Sequence, residues 1–212
     1  LSSSYALAAS VLRSPPYDKS TSVRLRSPCF LYLSWSAPGH TPLNRALALF
    51  YEVKFVSIHV VLYQPQIPSN TGNIARTCAG TDTTLHLIRP LGFSTDDKML
   101  KRAGLDYWQY VNIIYYDSLD EFYEKNAGGQ FFYLTKFGNK PHSTFDYSDP
   151  SKEYYFIFGR ETTGLPKDVI EKNKDVALRI PMTDHIRSLN LSNTAAILIY
   201  EALRQQNYAH LT

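Results

Sequence analysis

The sequence predicts an α/β fold, a single domain in which a parallel sheet is flanked by helices. Two observations lead there. From Ile58 onward, short apolar runs alternate with helical patterns, and the apolar runs at 58–63, 154–158 and 176–180 each empty into a polar loop that opens a helix. Strands are expected near 58–63, 84–88, 111–115, 131–135, 154–158 and 176–180, and helices near 71–81, 96–104, 118–126, 166–173 and 190–205. Ser118-Leu-Asp-Glu121 is a capping box for the third helix, and Gly128-Gly129 stops the chain before the next strand. Pro166 suits a first helical turn, where a missing N–H costs nothing. In the last helix Ala195, Leu198, Ile199, Ala202 and Leu203 form an apolar stripe.

Three loops carry the functional signal. Ile180-Pro-Met-Thr-Asp-His-Ile-Arg-Ser-Leu-Asn-Leu-Ser-Asn-Thr194 gathers Arg187, Ser188, Asn190, Ser192 and Asn193 at one helix start, more polar groups than a cap needs. Pro65-Gln-Ile-Pro-Ser-Asn-Thr-Gly-Asn-Ile-Ala-Arg76 follows the first strand, and Phe158-Gly-Arg-Glu-Thr-Thr-Gly-Leu-Pro166 follows the fifth. In an open α/β sheet, ligands bind beyond the carboxyl ends of the strands, so the three loops suggest one composite site.

These segments resemble the first, second and third motifs of the SPOUT superfamily of RNA methyltransferases, in order, over about residues 58–208. Asp96-Asp-Lys-Met-Leu-Lys-Arg-Ala-Gly-Leu-Asp-Tyr-Trp108 is similar to the subgroup that methylates the ribose 2′-hydroxyl of the tRNA wobble nucleotide, position 34. The resemblance implies a C-terminal trefoil knot, S-adenosylmethionine as cofactor, the tRNA anticodon stem-loop as partner and a homodimer. It places cofactor contacts at Leu134, Gly159, Ile180 and Ser188. Gly159 has a reason of its own, since a side chain at that strand exit is expected to fill the pocket. Leu134 and Ile180 read equally well as core strand residues. Asn70, Arg76, Glu161 and Asn190 match the family's substrate and catalytic positions. An arginine is too basic to take a proton but its planar fork suits a ribose phosphate. Glu161 is expected to order the loop or Asn70. Many relatives carry Arg where this chain has Thr163.

Lys98, Lys101 and Arg102 precede Tyr107 and Trp108, a mixture able to hold phosphate and stack a base, or equally a solvated helix face beside core aromatics. Overall charge adds nothing to that. Residues 1–54 hold six of the 22 Lys and Arg and two of the 19 Asp and Glu, which leaves residues 55–212 with one more acidic than basic residue. The first 54 residues are rich in Ser and Pro and lack periodicity. They read as a disordered extension outside a 55–212 domain, although the composition also resembles an organellar transit peptide. Cys29 and Cys78 fit no disulfide framework, so a reducing cytoplasm is expected, with Cys78 a small buried side chain. The histidines show no metal-ligand spacing, His185 reads as a solvent-facing loop residue, and no metal or membrane span is expected. Hydrolase, Walker-type and dinucleotide motifs are absent from the sequence. Two other functions remain open: the same chemistry on ribosomal RNA or another tRNA site, and a non-catalytic RNA-binding module.

Overall fold

The computed structural model describes residues 58–94, 108–209 and 211. Its elements follow in the order β1 (Ile58–Tyr63), α1 (Pro68–Thr81), β2 (Thr84–Ile88), β3 (Ile113–Tyr116), α2 (Leu119–Lys125), β4 (Gln130–Leu134) and β5 (Lys140–Pro141). Then come β6 (Tyr154–Phe158), α3 (Lys167–Lys172), β7 (Ala177–Arg179) and α4 (Leu191–Gln205). Single 3-10 turns, His142–Thr144 and Lys174–Val176, precede β6 and β7. All strand pairs are parallel, in the order β3-β2-β1-β6-β4-β7-β5. The predicted class is what forms.

The strands expected within the described residues all appear, those at 58–63, 84–88 and 154–158 with the expected ends and the others shifted by one or two positions, and the helix expected at 96–104 lies outside the described residues. Two departures have clear causes. Helix α1 begins at Pro68, three residues before the expected start, because proline at the first position is pre-set for helix. Asn70 and Gly72 are therefore helical. The two-residue strand β5 was not anticipated, since Lys140-Pro141 has no strand pattern and pairs only with β7 at the sheet edge. The capping box holds in modified form: Glu121 N–H donates to Ser118 Oγ at 3.1 Å, while the Glu121 carboxylate accepts from the N–H of Asp117 and not of Ser118.

Both sheet faces are covered. On one, α1 and α4 pack Ile74, Cys78, Leu198, Ile199 and Leu203 over Ile58, Val60, Leu62 and Phe156. Each fully buried Leu or Ile stabilises by roughly 1.5–3 kcal/mol. The whole predicted stripe of α4 is spent here, against its own sheet and α1, and Tyr200 is left 48% exposed. Burial raises the Cys78 thiol well above its ordinary range, consistent with a packing role. On the other face, Phe122 of α2 and Val169 and Ile170 of α3 cover Val61, Ile88 and Ile157. That face also buries a polar chain, in which His59 Nδ1 meets His86 Nε2 at 3.0 Å and His86 Nδ1 meets the Tyr116 hydroxyl at 2.9 Å. His59 Nε2 in turn bonds the Glu153 carboxylate at the surface.

Strand β7 lies between β4 and β5, both of which precede it in sequence. Leu178 is flanked by Leu134 on one side and Lys140 on the other, so residues 135–139 cross over β7. Gly138 is required at that crossing. A Cβ there would sit 2.5 Å from the Leu178 carbonyl carbon and 2.9 Å from the Arg179 nitrogen.

Candidate active site

The carboxyl ends of β1 and β6 are adjacent, and their loops are joined by one carboxylate. Glu161 accepts from the main-chain N–H of Gln66 at 2.9 Å, that of Ile67 at 3.2 Å and the side-chain amide of Asn70 at 3.2 Å. Helix α1 has no capping side chain of its own, because its N-cap is Ile67. An anion imported from the second motif satisfies donors at that terminus and complements the helix dipole. Asn70, almost fully buried, then accepts at Oδ1 from Asn190 Nδ2 at 3.0 Å. Asn190 is the N-cap of α4, and its Oδ1 accepts from Ser192 N–H at 2.8 Å and Ser192 Oγ at 2.6 Å.

The polarity of this relay follows from its first member. An ionised carboxylate only accepts, so Asn70 must turn its NH₂ to Glu161 and its oxygen to Asn190. Asn190 must then donate to Asn70 and keep its oxygen for the cap. Three of the four residues expected to act on substrate thus form one connected unit across all three motifs. Of the five polar groups noted at the third motif, Asn190 and Ser192 make the cap, while Arg187, Ser188 and Asn193 are exposed.

The expected cofactor positions sit on neighbouring elements. Leu134 ends β4 opposite Leu178, and Ile180 lies two residues past Leu178, so the two are diagonal neighbours at one sheet end. Both are half-buried. Ser188 is exposed in the 181–190 loop, and Gly159 follows β6, which pairs with β4. The loops after β4, β6 and β7 therefore emerge side by side. The hydroxyl of Thr71, fully buried beside Asn70, has no hydrogen-bond partner. This arrangement fits a nucleoside cofactor. Gly159 is required for a different reason than a pocket at the strand exit. A Cβ there would meet its own loop, 2.1 Å from the carbonyl carbon of Gly164 and 2.2 Å from the nitrogen of Leu165, and not an open pocket. The glycine is needed to close the 160–164 turn, where Arg160 and Gly164 exchange main-chain bonds.

Arg76 is exposed on α1, about 9 Å further along the helix axis than Asn70. Lys98, Lys101, Arg102 and Tyr107 lie outside the described residues. Trp108 is half-buried and packs against the α1/α4-side core. His185 is exposed, as expected. Among the described residues no cluster of His, Cys, Asp and Glu has metal-binding geometry, and no helix is long and apolar enough to cross a membrane. Sequence reasoning missed Gln64 and Arg160. Gln64 holds a left-handed backbone, φ 49°, donates Nε2 to the Arg89 carbonyl at 3.2 Å, and accepts at Oε1 from Arg160. Arg160 also lies over the Tyr63 ring, 5.6 Å from its centre, so this chain has a guanidinium in the loop where Thr163 offers none. The signal was legible, since Arg160 is the loop's only arginine.

Comparison with known proteins bears on this site. The model of the SpoU rRNA methylase family matches residues 57–200. A Bacillus subtilis protein, provisionally named a tRNA (cytidine(34)-2′-O)-methyltransferase, is 70% identical over 159 residues, covering 75% of this chain and 99% of its own length. A solved structure described as giving insight into 2-OH methylation of C/U34 on tRNA is 41% identical, with TM-score 0.66 over 71% of this chain and 97% of that one. An rRNA methyltransferase from Sinorhizobium meliloti, solved with AdoMet bound, is 25% identical, with TM-score 0.62 over 69% of this chain and 56% of that one.

Proposed function

Given that the chain belongs to the SpoU rRNA methylase family, we propose that it is an S-adenosylmethionine-dependent methyltransferase acting on the ribose 2′-hydroxyl of nucleotide 34 in tRNA. The observation that carries the reading is the Glu161–Asn70–Asn190 relay, which fixes the three motif loops in one arrangement. When bound, S-adenosylmethionine supplies a methyl group already activated by its sulfonium. The chain's task is to hold that methyl in line with a weakly acidic hydroxyl. Leu134, Gly159, Ile180 and Ser188 are assigned to the cofactor cradle, the first three through strand ends and main chain. Glu161 and Asn190 are positioning residues that hold Asn70 and the loop mouths. Arg76 is assigned to the substrate phosphate, from which its charge also favours the developing alkoxide. Lys98, Lys101 and Arg102 are assigned to the RNA backbone.

The same reading takes the enzyme as a cytoplasmic homodimer of 55–212 domains, with residues 1–54 dispensable. Tyr200, left exposed outside the buried α4 stripe, suits a subunit contact. A trefoil knot is supported by the passage of β7 beneath residues 135–139. The test is to incubate the protein with S-adenosylmethionine and total tRNA and map 2′-O-methylated nucleotides. Methylation confined to position 34 is expected; methylation elsewhere, or of ribosomal RNA only, overturns the assignment.

A further inference from the structure

A second concave site lies beside the relay, at the carboxyl ends of β2 and β3. It measures about 580 Å³ and is lined by Arg89, Pro90, Leu91, Phe93, Ser94 and Tyr115. It is an open depression rather than an enclosed cavity, which suits one face of a ligand that stays attached to a larger chain. Its lining combines a cation with aromatic and aliphatic surface: the Arg89 guanidinium is 5.2 Å from the centre of the Tyr115 ring. Arg89 also pairs with Asp117 at 2.7 Å, but both groups are more than half exposed, so an incoming phosphate competes with a weak surface pair.

The wall of this site is fastened to the first-motif loop. Gly92 N–H donates to the Pro65 carbonyl at 2.9 Å, and Gln64 Nε2 donates to the Arg89 carbonyl. Gly92 is held so close to Gln66 that a Cβ would lie 2.8 Å from the Gln66 Cα. Gln66 is one of the residues whose N–H Glu161 holds. The second site is therefore built onto the same rigid loop as the first, and an occupant of one is positioned relative to an occupant of the other.

We infer that this pocket takes an unpaired nucleotide of the substrate RNA that flanks the methylated one, its base against Phe93 and its phosphate on Arg89. Single-stranded RNA is held by aromatic faces and guanidinium groups in this combination. A flanking nucleotide is the ligand that chain continuity delivers to a site joined to the reaction centre. The inference rests on the proposed RNA methylation and adds a recognition subsite to it.

The test uses an anticodon stem-loop RNA in which each nucleotide flanking position 34 is made abasic in turn, with the full-length protein and the variants Phe93→Ala, Phe93→Tyr and Arg89→Gln. Phe93→Ala is expected to raise KM for the intact stem-loop about tenfold, with kcat and S-adenosylmethionine affinity within twofold, and Phe93→Tyr to restore KM. One abasic position should raise KM equally for the wild type and add nothing further in Phe93→Ala. Arg89→Gln should raise KM and weaken its dependence on salt. If every abasic position penalises Phe93→Ala as much as the wild type, or KM does not move, the pocket does not hold a base. A wild-type protein that methylates no RNA overturns the proposed function itself, and the subsite with it.

Discussion

Asn190 donates its side-chain amide to the side-chain oxygen of Asn70, Oδ1, at 3.0 Å, joining two residues 120 positions apart. The contact matters because each partner is already committed. Asn70 faces Glu161 with its NH₂, and Asn190 keeps its oxygen for the α4 cap. Replacing Asn190 by Asp preserves the cap acceptor but sets a carboxylate against the Asn70 oxygen. Asn190→Asp is expected to lose about 1–3 kcal/mol of stability and to cut methyl transfer at least tenfold. Asn190→Ala should cost the cap as well, about 0.5–2 kcal/mol. Denaturant unfolding and turnover on tRNA check both, and wild-type turnover in the Asp variant would show that the relay has no role in the reaction.

Gly159 is the tightest backbone position near the site. Because its Cβ would fall 2.1 Å from the Gly164 carbonyl carbon, even Gly159→Ala must displace the 160–164 turn and with it Glu161. The expected result is loss of S-adenosylmethionine binding together with a lower melting temperature. Calorimetry finding native affinity at native stability would mean the turn can open without cost.

The sheet and the three loops were legible because their signals are local: apolar runs, turn residues and caps. Direct contact between the loops was not, because Glu161 reaches Gln66 and Asn190 reaches Asn70 across separations of 95 and 120 residues. The burial of the α4 stripe against its own sheet was equally undecidable from periodicity, which gives the apolar side of a helix but not what covers it. Gly159 shows the same limit at one residue, since its pattern flagged a close approach and only the coordinates identify what approaches. The pocket at β2 and β3 combines Arg89 and Tyr115 from different strands, with no motif to announce it.

The buried histidine makes stability depend on pH. Burial, reinforced by the neighbouring His59, lowers His86 from an ordinary 6.5 to about 3. The folded state thus keeps it neutral where the unfolded chain would protonate it. Its contribution is present above pH 6.5 and is lost as pH falls from 6.5 toward 3, by up to about 1.4 kcal/mol per pH unit. Glu153, held low chiefly by its hydrogen bond to His59, acts in the same direction below pH 4.5. Urea unfolding at pH 6.5 and 4.5 should show this fall, with a shallower slope in His86→Phe. Equal slopes would assign the acid sensitivity elsewhere.

Arg76 is expected to serve the substrate and not the cofactor. It belongs to α1, the helix whose start Glu161 and Asn70 fix, and its side chain is exposed on that helix. Arg76→Ala should cut methyl transfer about 30- to 1,000-fold, the loss of roughly 2–4 kcal/mol that one charge-assisted contact supplies in the transition state. S-adenosylmethionine affinity by calorimetry should stay within a few-fold. Arg76→Lys restores the charge without the planar fork and should recover only part of the rate. The role is excluded if Arg76→Ala keeps near-normal turnover on tRNA, or if cofactor binding falls in parallel with activity.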